Sequence, residues 1–175
     1  RGLGDVYKRQ VYDNIKKDVH LASIAGGTDL VGCLVLGNLF SDVHKGEIQG
    51  QSLGIDVDVF TDDGKSTVEG VKGELVVKKP FPSMPVKFWG DDDGQKYHKA
   101  YFTRFKNIWH HGDFIERTDK NGFIMRGRSD ATLNPGGVRI GTSEIYQQVE
   151  DIDFITEGLV VGQDFDDDVR IILFV

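Results

Sequence analysis

A single cysteine, Cys33, in a chain of 175 residues excludes an internal disulfide. It lies in the apolar run of residues 31–36, where the sequence predicts a buried, inert thiol, and its isolation points to a reducing cytoplasm. No apolar run approaches the ~20 residues of a membrane-spanning helix. Basic residues are outnumbered, 21 Lys and Arg against 28 Asp and Glu, for a net charge of -7. That balance argues against nucleic acid or an anionic membrane as partner, because both require a basic face that displaces counterions. It points instead to small molecules. No basic region leads into an apolar stretch near the amino end, so no signal peptide is read there. Residues 1–10, RGLGDVYKRQ, fit poorly with the pattern that begins near Val11 and are read as a non-native leader, outside the fold.

The remaining residues alternate between β patterns and short helices. Residues 11–18 read as a short helix and residues 20–24 as a strand leading into Gly26 and Gly27. Residues 55–60 alternate strictly, which predicts a strand with one wet face, and residues 62–65 form a turn before a strand at residues 73–77. Pro80, Pro82 and Pro85 bracket a loop. Asp91, Asp92, Asp93 and Gly94 read as a solvated turn or helix approach, not a metal site. Tyr97, Tyr101, Phe102 and Phe105 recur at helical spacing and predict an aromatic stripe facing the core. Residues 108–117 and 123–128 are predicted strands joined by a turn centred on Asn121-Gly122. Thr142 is placed to cap a helix with Ile145, Val149 and Ile152 inward and Glu144 in its first turn. Residues 155–161 and 169–175 are predicted strands, with residues 163–168 as the connection.

The chemistry concentrates in residues 127–144, GRSDATLNPGGVRIGTSE. Arg128 and Arg139 carry permanently charged donor forks suited to phosphate or vicinal hydroxyls, and Gly136 and Gly137 let a backbone approach a ligand closely. Asp113, upstream, supplies an acceptor. The same arginines and glycines also read as surface salt-bridge partners and turns, so a non-catalytic β-rich binding module stays open at this point. A metal site on His110, His111 and Asp113 is disfavoured, because adjacent strand residues point to opposite faces. Asp164, Asp166 and Asp168 mimic the start of a calcium loop, but Val169 stands where such a loop needs glycine.

Four motifs in order resemble those of the adenylate-forming, AMP-producing acid:CoA ligases. They are residues 25–29 (AGGTD), Gly73-Glu74-Leu75, His111-Gly112-Asp113 and residues 127–140. The segments FPSMP at 81–85 and KYHKAYF at 96–102 are similar to the acetoacetate-activating branch. The resemblance implies a mixed α+β fold. Its first part is the β-rich end of the large adenylate-forming domain over residues 11–129, and residues 130–175 begin a small α/β carboxyl-terminal domain, with Asp130 as the hinge between them. It implies ATP, acetoacetate and CoA as small-molecule substrates, with AMP and pyrophosphate formed through an acetoacetyl-adenylate.

Roles follow from the same resemblance. Asp113 and Arg128 would meet the ribose hydroxyls, Thr28 the α-phosphate, Arg139 phosphate, and Asp29 would hold Mg²⁺. Ser23, Gly26 and Gly27 would run beside the adenine and acyl group, while Gly136 and Gly137 would border the pantetheine of CoA. Acetyl-specific members carry a bulky Trp where Gly26 stands, so Gly26 leaves room for acetoacetate or serves only a tight turn. The family's phosphate loop lies upstream and its catalytic lysine beyond Val175. No catalytic residue is therefore named, Lys78, Lys79 and Lys120 are not substitutes, and the polypeptide alone is expected to show little ligase turnover in a pyrophosphate-release assay. Another acid:CoA ligase or a carrier-loading adenylation domain is the neighbouring alternative.

Overall fold

The computed structural model describes residues 2–133, 135, 138, 140–150, 152, 155–166 and 168–175. The chain divides into two compact units, one of residues His20–Met125 and one combining Arg1–Val19 with Arg126–Val175.

The first unit is built on β-sheets. Strands β1 (Ala25–Gly27), β2 (Gly32–Leu36) and β3 (Gly50–Gln51) form one antiparallel sheet in that order. The second sheet has the order β4 (Val57–Phe60), β5 (Lys72–Val77), β6 (Trp109–Arg117) and β7 (Phe123–Arg128). Only a short turn joins β6 to β7, closed by Thr118 N–H donating to Gly122 C=O at 2.9 Å, with Asn121 at φ 60°. A connection that short permits only an antiparallel pair. Helix α2 (Gln95–Tyr101) precedes β6. Leu30, Leu34, Val35, Ile55, Val57, Val59, Leu75, Val77, Phe81, Trp109 and Ile115 are among the buried residues of one core, and Phe60, Val76 and Phe105 form a second on the other side of the β4–β5 pair.

Two cores explain a departure from the alternating pattern of residues 55–60. All four β4 residues are buried, so the expected wet face does not exist. Asp58, 4% exposed, accepts from Ser66 Oγ at 2.8 Å and Val59 N–H at 2.8 Å, and lies 3.0 Å from Lys78 Nζ and 3.1 Å from Arg117. Burial pushes its carboxyl up, but the bonds from Ser66, Lys78 and Val59 outweigh burial and hold it below the usual carboxylate range. A carboxyl held low when folded contributes stability above its unfolded pKa near ~4, and that contribution is lost as the pH falls through the folded value. Asp58→Asn is therefore expected to cost roughly 1.5–3 kcal/mol at pH 7. Below pH ~4 its melting temperature should fall less steeply than the parent's. Thermal melts between pH 7 and pH 2 check both, and parallel acid limbs would count against the assignment.

Other expectations shift by local chemistry. Residues 20–24 form no strand; His20 Nε2 hydrogen-bonds Gln49 Oε1 at 2.7 Å and the segment runs as coil into β1. Cys33 on β2 is half-buried, not buried. Asp91 is buried, not solvated: its two carboxylate oxygens accept from Lys96 N–H at 3.0 Å and Tyr97 N–H at 2.8 Å, capping the first turn of α2. The aromatic stripe divides, with Tyr97, Tyr101 and Phe102 packed on the first core and Phe105 in the second, edge-on to Phe60 at 5.5 Å.

In the second unit, helix α1 (Gly2–Asn14) runs through the residues set aside as a leader and stops four short of the expected Asp18. Strands β8 (Thr132–Leu133) and β9 (Ile140–Gly141) pair antiparallel, and helix α3 (Thr142–Glu150) follows directly, ending before Ile152. Strands β10 (Leu159–Phe165) and β11 (Asp168–Phe174) form an antiparallel hairpin. Asp164 and Asp168 therefore lie in paired strands, where a connection was expected, and Asp166, at φ 50°, stands in the turn. Among the described residues no helix is long and apolar enough to cross a membrane.

Candidate functional site

Residues 25–29 are a strand and the start of its turn. Gly26 pairs with Cys33 and Gly27 with Gly32, and Val31 N–H closes the turn on Thr28 C=O at 3.1 Å. Val31 adopts φ 47°, a conformation that a β-branched side chain rarely takes. Thr28 and Asp29 stand exposed at the turn, and Ser23 is half-buried in the preceding coil. A Cβ on Gly26 would lie 2.1 Å from Gly32 O and 2.6 Å from the Cys33 Cα, so backbone proximity alone requires glycine there.

The His111-Gly112-Asp113 segment interrupts a β ladder. Glu74 opposes Phe114 and Val76 opposes His110, which leaves three residues of β6 facing Leu75 alone. Gly112 makes this bulge possible with φ 81°. The bulge turns Asp113, 5% exposed, toward His111, whose Nε2 is 3.6 Å from Asp113 Oδ2. His110 goes the other way and contacts Glu74 Oε2 at 2.8 Å, so the two histidines occupy opposite faces, as the strand argument expects.

Between turn and bulge stands Trp109. Its ring stacks on Tyr101 at 3.7 Å between centroids, and its indole N–H donates to His111 Nδ1 at 3.3 Å. Tyr101 in turn donates its hydroxyl to Asp29 Oδ2. A Cβ on Gly27 would sit 3.0 Å from His111 Cε1, so the imidazole packs directly against β1. Thr28, Asp29 and Asp113, distant in sequence, are thus tied into one cluster through Tyr101, Trp109 and His111. The sequence reading missed these three side chains as site residues. Two signals for them exist: a glycine inside a strand pattern marks a bulge, and a tyrosine at the rim of an aromatic stripe has a polar tip to place.

In the second unit Gly127, at φ 113°, leaves the space that Ser143 of α3 fills; a Cβ there would be 2.3 Å from Ser143 Oγ. Ser143 Oγ also donates to Arg126 C=O at 2.5 Å. Arg128 follows with its guanidinium engaged in a two-pronged pair with Asp130, Nε to Oδ1 at 2.9 Å and a terminal nitrogen to Oδ2 at 2.5 Å. The expected hinge carboxylate and the expected ribose guanidinium therefore hold each other. Gly136, Gly137 and Arg139 lie outside the described residues. Lys78 and Lys79 are engaged by carboxylates in and just before β4, Lys78 with Asp58 at 3.0 Å and Lys79 with Asp56 at 3.1 Å.

No family model matches the chain. It is 62% identical over 165 residues to an acetoacetyl-coenzyme A synthetase of Rhizobium meliloti (strain 1021), covering 94% of this chain and 25% of that protein. The acetoacetyl-CoA synthetase of Gallus gallus is 48% identical over 166 residues, again 94% of this chain and 25% of the relative. Among solved structures, an acetoacetyl-CoA synthetase from Streptomyces lividans superposes with a TM-score of 0.78 at 38% identity, over 90% of this chain and 24% of that one. An anthranilate CoA ligase in complex with anthranoyl-AMP gives a TM-score of 0.67 at 16% identity over 97% of this chain and 30% of that one, a likeness of fold alone. The chain spans about a quarter of the length of the curated relatives it matches. The mixed α+β, sheet-rich fold expected of an adenylate-forming enzyme is borne out.

Proposed function

We propose that this chain is the nucleotide-facing segment of an acetoacetyl-CoA synthetase, which joins acetoacetate to CoA by way of an acetoacetyl-adenylate. The observation that carries the reading is the cluster binding the Thr28-Asp29 turn to the Asp113 bulge through Tyr101, Trp109 and His111. An exposed hydroxyl and a carboxylate held on one rigid support suit a ligand with a phosphate at one end and a diol at the other.

In this reading Asp113 accepts hydrogen bonds from the ribose 2′ and 3′ hydroxyls, and Arg128 carries the donor fork suited to the ribose. Thr28 donates to the α-phosphate, Arg139 meets phosphate, and Ser23, Gly26 and Gly27 border the adenine and acyl group. Gly136 and Gly137 border the CoA pantetheine, and Asp130 is the hinge. A carboxylate oxygen of acetoacetate attacks the α-phosphorus of ATP and pyrophosphate leaves; the CoA thiol, losing its proton, then attacks the acyl carbon and AMP leaves. Both steps depend on positioning and on offsetting phosphate charge.

Asp29 fits the Mg²⁺ that such enzymes imply: its carboxylate is exposed, and the Tyr101 hydroxyl fixes Oδ2 and so aims the group. When bound, the ion offsets phosphate charge beside Thr28. Location in the cytoplasm accords with the lone thiol.

Calorimetric titration with AMP tests the reading. Asp113→Ala is expected to weaken AMP binding about 10- to 100-fold, the worth of hydrogen bonds to a charged acceptor. Equal affinity in parent and variant would remove the ribose assignment.

A further inference from the structure

We propose that Trp109 and His111 are positioning residues for Asp113: the indole fixes the imidazole with its proton on Nε2, and that edge holds the carboxylate in place for a ribose diol. The inference rests on the reading of Asp113 as the ribose acceptor.

An indole N–H can only donate. Its contact with His111 Nδ1, 3.3 Å away and buried, therefore requires Nδ1 to accept, so the ring proton sits on Nε2. Nε2 is the atom that faces Asp113 Oδ2, at 3.6 Å. A ring protonated on Nδ1 would set two N–H donors against each other on the Trp109 side and turn a lone pair toward a carboxylate on the other. Both changes are unfavourable in a buried setting, where His111 and Asp113 are each less than a tenth exposed.

The ring is also held against rotation. Trp109 lies nearly parallel to it, with an interplanar angle of 23°, and Gly27 of β1 abuts its Cε1 edge. A Cβ at Gly27 would stand 3.0 Å from Cε1, tighter than ordinary van der Waals contact. Trp109 is itself clamped by its stack on Tyr101 and its edge contact with Phe81 at 5.5 Å. A carboxylate on a bulge, where the ladder gives little support, is thereby aimed by a side chain packed between Trp109 and β1.

Imidazole ¹⁵N spectra of this chain test the assignment without any ligand. The expected result is a pyridine-type Nδ1 and a pyrrole-type Nε2 for His111, with the preference lost in Trp109→Phe, which keeps an aromatic ring but has no donor. A protonated Nδ1 in the parent, or an unchanged pattern in Trp109→Phe, overturns the proposal. If Trp109→Phe does not fold, the parent spectrum decides alone.

Titration with AMP and with 2′-deoxy-AMP supplies the functional readout. His111→Ala is expected to weaken AMP about tenfold and 2′-deoxy-AMP by much less, so that discrimination between them collapses. Equal weakening of both, the signature of a merely structural role, overturns it, as does unchanged AMP affinity. A parent chain that binds neither nucleotide defeats the proposed function, and the tautomer result then judges this inference by itself.

Discussion

Truncating Trp109 to alanine is expected to lower the unfolding free energy by about 3–5 kcal/mol, the range for removing a large aromatic from a packed core. The side chain is 2% exposed and central to its core: it stacks on Tyr101 and meets Phe81, Phe102 and Tyr97 at oblique or perpendicular angles. Its removal leaves both a void and an imidazole whose acceptor nitrogen has lost its indole donor. Urea unfolding followed by circular dichroism measures the loss, and a change under about 1 kcal/mol would mean that the surrounding aromatics are not packed as described. The second tryptophan, Trp89, is fully exposed, so Trp89→Phe leaves Trp109 as the sole tryptophan and a selective fluorescent reporter of the core.

Gly26→Ala is expected to be nearly as damaging, for the opposite reason. Its Cβ would overlap Gly32 O and the Cys33 Cα, and neither can rotate aside because both are backbone of the paired strand. Overpacking of this kind costs ~3 kcal/mol or more when the backbone must move. The β1–β2 hairpin should open, with lost amide protection at Cys33 and Val35 in hydrogen exchange and a lower melting temperature. An alanine variant that melts with the parent would show that the strands can separate cheaply.

The contrast between these residues shows what the sequence discloses and what it withholds. Strands β5, β6 and β7, helix α3 and the Asn121 turn were all legible because alternation, helical spacing and turn formers are local properties. The Asp113, Thr28 and Asp29 positions were legible as motifs. Their convergence followed from the family resemblance alone and not from any local pattern, because it depends on the bulge that sets three β6 residues against Leu75 and on a tyrosine from α2 reaching the 28–31 turn. Alternation at Asp58 misled for a similar reason. A period of two reports that opposite faces differ, and a buried carboxylate satisfied by Ser66, Lys78 and Arg117 differs from its apolar neighbours as much as a wet one would. The capping role of Asp91 was hidden because the cap reaches in from three residues before Gly94, which precedes the helix.

The mismatch of three β6 residues against Leu75 has a dynamic corollary. On either side of it the strands are zipped, from Lys72–Glu116 to Glu74–Phe114 and again at Val76–His110 and Val77–Trp109. Local opening at this point therefore need not unzip the strands on either side, and slow amide exchange is expected to persist in the flanking pairs while the ladder is interrupted at His111, Gly112 and Asp113.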